Sequence, residues 1–325
     1  MENRPIIQVD GLVKHYGHVR AVDDVSFAVE RGEIFGLLGP NGAGKTTIIS
    51  ILSCLVPPSA GSAWVAGYDV VAESLEVRNR IGVVPQEIAL YQTLSARENL
   101  IFWGRMYGLS GATLAARADE LIETVGLRER ARTRIDTFSG GMKRRINIAV
   151  GLLHDPEVLF LDEPTVGIDP QTRRNLLDLA KELNEKGLTI LYTTHYLEEA
   201  EFLCDRVGIV DRGRMIALGT QRELVAEIGA TDTITVEADG LEPGLTRSLE
   251  EMDGILETSM DEDVMRLNAE SGSRLLPAIV ERLTSAGVAI RSVDVSAPNL
   301  ESVFLHLTGR TLGSESGSPA EEPDR

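Results

Sequence analysis

The chain has 325 residues and is 43% hydrophobic, enough for one large domain and a smaller one, each with a core. Its formal net charge of −18 argues against a nucleic-acid partner, because phosphate contacts need basic surface. No apolar run reaches the roughly 18 residues of a membrane span, MENRPIIQVD lacks a signal-peptide core, and the distant Cys54 and Cys204 fit no metal spacing, which predicts a cytosolic chain with free thiols.

Residues 6–10 and 20–29 carry the patterning of strands. EIFGLLG predicts a buried strand and KTTIISILSCL the helix after it. Between them lies a G-x-x-x-x-G-K-T spacing: Gly39, Pro40, Asn41, Gly42, Ala43, Gly44, Lys45 and Thr46, followed by Thr47. Glycines let a backbone turn tightly and bring its N–H groups close to an anion. A helix opening at Gly44 aims free N–H groups and its positive end at that anion. Lys45 then reaches the outer phosphates, and Thr46 offers a hydroxyl to Mg²⁺. The strand–loop–helix context makes this a P-loop, which implies a nucleoside triphosphate and nothing about its use.

A short strand is predicted near SAWVAG, and another at IGVVPQ (81–86) ends on Gln86. Residues 95–126 hold helical patterns broken at GLSGA. SGGMKRRINIAVGLLH opens on a Ser cap and puts Met142, Ile146, Val150 and Leu153 on one face. EVLFLDEP is a continuous apolar strand ending in Asp162 and Glu163, neighbours expected to face opposite sides and so to differ in role. PQTRRNLLDLAKELNEKG is an amphipathic helix, LTILYTTH a strand, and RVGIVDRGRMIALGT a hairpin turning at DRG. His195 is placed at the start of the helix YLEEAEFL, where the helix N-terminus disfavours imidazolium. Strands alternating with helices imply a largely parallel sheet, whose ligands sit at the carboxyl ends of the strands. The P-loop, Gln86, Asp162–Glu163 and His195 all fall there.

The charge is uneven. Residues 1–220 carry 24 Lys and Arg against 29 Asp and Glu, and residues 221–325 carry 8 against 21. This predicts a boundary near GTQRELVAEIGATD. Residues 221–310 read as a small α+β domain with an antiparallel, ferredoxin-like order. Its last helix, PNLESVFLHLTGR, aligns Leu300, Val303, Phe304 and Leu307 on one face expected to pack within that domain. Residues 311–325 are too polar to bury anything and are expected to be a disordered acidic tail.

The order of motifs resembles the nucleotide-binding subunit of ATP-binding cassette (ABC) transporters over residues 5–220. The matching residues are Tyr16 in KHYG, the P-loop, Gln86, Ser139-Gly140-Gly141, Asp162-Glu163, GIDP with Asp169, and His195 in TTH. The resemblance implies an α/β P-loop fold of ABC type: a mostly parallel core, antiparallel strands and a helical subdomain about 87–155. It implies that Tyr16 stacks on adenine, that Thr46, Gln86 and Asp162 hold Mg²⁺, and that Glu163 is the base or positioner of the attacking water. His195 would donate to the γ-phosphate of ATP. Ser139, Gly140, Gly141 and Met142 would face the nucleotide held by a second subunit, with Asp169 at the same interface, so two chains complete two sites. Met142, Phe138 and Val166 depart from the usual glutamine, leucine and serine, which predicts a competent ATPase with altered cooperativity between sites.

The ending and SGGMKRR are similar to the ATPase subunits of drug exporters of the daunorubicin-resistance type. That implies an ATP-hydrolysing homodimer under a separate multi-span permease, peripheral on the cytoplasmic face of the membrane and without a nucleic-acid partner. The alternative is a soluble ABC ATPase acting on ribosomes or DNA. Such proteins usually carry two cassettes, zinc ligands or a long coiled coil, none of which this sequence contains. A non-hydrolysing regulatory cassette is opposed by Glu163 and His195.

Overall fold

The computed structural model describes residues 4–229, 231–241 and 243–309. The expectation for residues 311–325 lies outside them. The described residues form two units that divide between Thr220 and Gln221.

The first unit begins with β1 (Ile7–Tyr16), β2 (Val19–Val29), β3 (Ile34–Leu38), α1 (Lys45–Leu52), β4 (Ala60–Val65), β5 (Tyr68–Asp69), α2 (Ser74–Arg78) and β6 (Ile81–Val84). It continues through α3 (Ala96–Met106), α4 (Gly111–Thr124), α5 (Gly140–Gly151), β7 (Val158–Asp162), α6 (Pro170–Glu185), β8 (Thr189–Thr194), α7 (Leu197–Leu203), β9 (Arg206–Asp211) and β10 (Arg214–Gly219). An antiparallel sheet has the order β2-β1-β4-β5, and a six-stranded sheet the order β10-β9-β3-β8-β7-β6. The six-stranded sheet is parallel except for the β9–β10 hairpin.

The first strand is longer than the five residues its alternation suggests. Register shifts after Val9 and Leu12, with Gly11 at φ +56°, let β1 bend and run on to Tyr16. β7 is apolar throughout because both its faces are covered. Leu159 and Leu161 join the core beneath α3–α6, while Val158 and Phe160 join the core shared with α1 and the antiparallel sheet. α5 departs from the expected single apolar face, since Ile146 through Gly151 are all buried. It packs against β6 and against α3, α4 and α6 together, so most of its circumference is covered.

The second unit contains α8 (Gln221–Glu227), β11 (Asp232–Asp239), α9 (Pro243–Glu250), β12 (Ile255–Asp261), β13 (Val264–Ala269), α10 (Gly272–Ser285), β14 (Ala289–Ser296) and α11 (Leu300–Thr308). Its sheet has the order β12-β13-β11-β14 with every pair antiparallel. The connectivity β-α-β-β-α-β is the ferredoxin-like arrangement. Ile234, Val236, Met265, Leu267, Ile279 and Leu283 fill its core. α11 packs against α8. Leu300, Val303 and Phe304 are buried as its spacing predicts, but Leu307 is 42% exposed. The buried stripe ends a turn early, ahead of the left-handed cap at Gly309.

Candidate active site

The loop between β3 and α1 owes its glycines to its own path. A Cβ on Gly39 would collide with the Val210 carbonyl, and one on Gly44, at φ +106°, with that of Ala21. Gly39 N donates to Thr194 O at 3.2 Å, which ties the loop to the end of β8. α1 starts with no side-chain cap and no acid in its first turn, leaving its N-terminus to an external anion.

Lys45 is 4% exposed. Its Nζ donates to Gly39 O at 2.7 Å and Pro40 O at 3.0 Å, and it lies 3.0 Å from Glu163 Oε1. Asp162, at the end of β7, accepts from Thr193 Oγ1 at 2.7 Å and from Thr46 Oγ1 at 3.2 Å. Burial pushes its carboxyl above the ordinary range, and the two hydroxyls oppose that shift.

The two acids separate for a reason other than strand alternation. β7 ends at Asp162, and Glu163 takes φ +43°, a left-handed backbone that is strained for a side chain of this size. The Thr193 hydroxyl accepts from Glu163 N at 2.9 Å and holds the turn. Glu163 thereby faces Lys45 and His195, whose Nδ1 lies 3.3 Å from Glu163 Oε2. Burial pushes the Glu163 carboxyl up, but His195 and Lys45 outweigh it and hold the group below its ordinary value. His195 is not the first residue of a helix. α7 begins at Leu197 with Tyr196 as N-cap, so His195 lies one residue outside the cap.

A cleft of about 560 Å³ gathers Tyr16, Asn41, Gly42, Ala43, Gly44, Lys45, Thr46, Thr47, Gln86, Glu163 and His195, with Ala21 and Val166. Tyr16 ends β1 half-exposed, and Gln86 is exposed on the loop after β6. A triphosphate fits the cation and the uncapped helix end. A hard divalent ion fits beside the Asp162 carboxylate and the Thr46 hydroxyl, which are oxygen donors of the type it takes.

A separate corner holds the remaining candidates. Ser139 caps α5, accepting from Met142 N at 3.3 Å, and Asp169 caps α6, accepting from Thr172 N at 3.0 Å. A Cβ on Gly141 would collide with the Thr172 side chain, whereas one on Gly140 would meet only Ile168 at ordinary contact distance. Met142 packs, partly buried, on the helical core. Two neighbours of the cleft carry no sequence motif. Thr193 reads as one more strand residue, and Arg144 as one of three consecutive cations in KRR. Arg144 is 5% exposed and donates to Pro85 O at 3.0 Å and Gln86 O at 2.7 Å, anchoring the loop that carries Gln86.

A glycine loop before a helix, a buried lysine and an acidic strand end define a P-loop nucleoside triphosphatase. The family described as "ABC transporter" matches residues 22–166. The linearmycin resistance ATP-binding protein LnrL of Bacillus subtilis (strain 168) is 46% identical over 94% of this chain and 99% of its own length. The daunorubicin resistance ATP-binding protein DrrA3 of Streptomyces coeruleorubidus is 44% identical over 93% of this chain and 96% of its own. A solved ATP-binding subunit of an ABC transporter matches 69% of this chain and 93% of its own, at 33% identity and a TM-score of 0.62. An ATP-binding cassette solved as a dimer with ADP and phosphate matches 66% of this chain and 98% of its own, at 27% identity and a TM-score of 0.60. This chain belongs to the ATP-binding subunits of ABC transporters, an ATPase family.

Proposed function

We propose that this chain is the ATP-hydrolysing motor of an exporter for a drug, antibiotic or other hydrophobic molecule. It works as a homodimer beneath a separate multi-span permease on the cytoplasmic face of the membrane. The first unit is the nucleotide-binding domain, with α3–α5 in its helical subdomain. The second is an accessory domain that steadies the dimer. The observation that carries the ATPase reading is the meeting of Lys45, Glu163 and His195 in one cleft above the Asp162–Thr46 pair. Export rests on the likeness to antibiotic-resistance subunits over nearly the whole chain. Among the described residues no helix is long and apolar enough to cross a membrane, and the proposed reading puts the transport path in the separate permease.

Tyr16 offers its ring to the adenine, and the 39–47 backbone cradles the phosphates. Lys45 exchanges the Gly39 and Pro40 carbonyls and Glu163 for phosphate oxygens. That exchange frees the Glu163 carboxyl from a cation that holds its basicity down, so Glu163 orients the attacking water better once substrate is in place. His195 steadies the γ-phosphate with a ring N–H. Asp162, Thr46 and Gln86 would hold Mg²⁺, which supplies charge neutralisation on the phosphate oxygens. Ser139, Gly140 and Gly141, beside Asp169, present neutral donors to the partner subunit's nucleotide.

Co-expression with a multi-span permease, sought among the genes adjacent to its own, should lower cellular accumulation of an anthracycline and bring this chain into the membrane fraction. Robust ATP hydrolysis that neither needs nor responds to such a permease would overturn the transport reading.

A further inference from the structure

Glu199, on α7, is a buried acid that the cleft does not use; it is 1% exposed. Its two carboxylate oxygens divide between two loops. Oε1 accepts from Thr165 Oγ1 at 2.6 Å, two residues beyond Glu163. Oε2 accepts from Thr194 Oγ1 at 2.7 Å, one residue before His195. Thr194 Oγ1 in turn accepts from Tyr196 N at 2.9 Å, so the backbone is pinned on both sides of His195. A third hydroxyl, Tyr192 OH, donates to Oε2 at 2.9 Å from within β8. Burial, and then the Glu199 charge, push the Tyr192 hydroxyl well above its ordinary value, so it remains a donor. Thr165, Tyr192 and Thr194 are each 1% exposed, so water does not compete for these bonds.

The surroundings extend the same link. Arg173 of α6 reaches within 3.5 Å of Glu199 Oε1 without hydrogen-bond alignment, and its guanidinium lies 4.2 Å above the Tyr196 ring. The Tyr196 ring is 4.2 Å from that of His195. Glu163 needs such support because its backbone is strained and catalytic groups must be held to within about 0.5 Å of productive geometry.

We propose that Glu199 is a positioning residue: one buried carboxylate that sets the loop of Glu163 and the loop of His195 in register with each other. This rests on the ATPase reading above and adds a residue to it that never touches nucleotide.

The test compares hydroxyls on the same carboxylate. Thr165→Val and Thr194→Val keep the side-chain shape and each release one loop. Both should lower kcat for MgATP by about 10–10²-fold, the cost of an ångström-scale misplacement, with KM nearly unchanged. Thr165→Ser and Thr194→Ser keep the hydroxyl and should restore kcat. Tyr192→Phe removes a hydroxyl that holds neither loop, and should lower Tm while leaving kcat near wild type. Glu199→Leu, which keeps no acceptor, should behave as the two valine variants combined; if it does not fold, the threonine variants decide. Wild-type kcat in both valine variants, or a kcat loss in Tyr192→Phe as large as theirs, overturns the proposal. Wild-type protein that binds no MgATP sinks the ATPase reading itself.

Discussion

The cleft at α1 and the corner at α5 are both helix N-termini approached through glycine, yet they are built for different tasks. α1 has no side-chain cap and keeps its own buried cation in Lys45. α5 is capped by Ser139, its buried cation Arg144 is turned to the Pro85 and Gln86 carbonyls, and it shares its corner with Asp169, whose carboxyl the Thr172 hydrogen bonds hold below its ordinary value. The first brings a cation of its own to a polyanion. The second offers a few neutral donors beside an acid, so it suits a phosphate that arrives with its charge already balanced. Two incomplete sites of opposite deficiency on one chain favour a head-to-tail pair of chains.

The sharpest way to break this contrast lies in the cleft. Glu163→Gln should bind MgATP and lose about 10²–10⁴-fold in kcat, the usual worth of a positioned base. Near-wild-type hydrolysis would remove Glu163 from the chemistry. A mixing experiment sharpens the contrast next. Lys45→Ala and Ser139→Arg chains should each be inactive alone, and a mixed dimer holds one doubly damaged site and one intact site. Recovery of hydrolysis on mixing is expected; no recovery with mixed dimers demonstrated would sink the shared site.

Within the corner, Gly141→Ala places a methyl against Thr172 and should cost about 1–3 kcal/mol of stability, read as a drop in Tm. Gly140→Ala has room, so it should hold Tm and lower only turnover; a matching Tm loss would make both glycines matters of packing. The smallest effect concerns pH. Glu163 is held below its unfolded value, so its contribution is complete above the ordinary carboxylate range and is lost as pH falls through the lowered folded value. Asp162, raised by burial, works in the opposite sense. Glu163→Gln should therefore flatten acid destabilisation relative to wild type, and Asp169→Asn should do so less, because Asp169 is solvent-screened. Equal slopes in all three proteins would contradict the assignment.

Two parts of the cleft are legible because apolar strands run without a break up to them, Leu38 before the P-loop and Leu161 before Asp162, whereas His195 follows the threonines that end β8 and is legible only through TTH. The ferredoxin-like order was legible for a similar reason, since its alternating strands and helical stretches are short and evenly punctuated. What the residues hide is the geometry beyond the strand. Nothing in DEP announces the left-handed backbone of Glu163, which depends on a hydroxyl thirty positions away. YLEEAEFL reads as a helix and is one, with Tyr196 as the cap of α7, so His195 falls just outside it. Ser95 and Glu98 form a capping box on α3 whose S-x-x-E spacing is readable in sequence. Arg144 and Glu199 were hidden because a charged residue on a helix reads as surface until its partners are known.

Arg144 has a mechanical consequence. It lies about one turn in from the glycines that open α5, and its guanidinium grips the carbonyls of Pro85 and Gln86. Burial disfavours loss of that grip to water and leaves Arg144 Nε without a second partner to turn to. The start of α5 and the loop of Gln86 are therefore joined with little slack, like two teeth cut on one wheel. A displacement imposed on either must carry the other with it or break both hydrogen bonds.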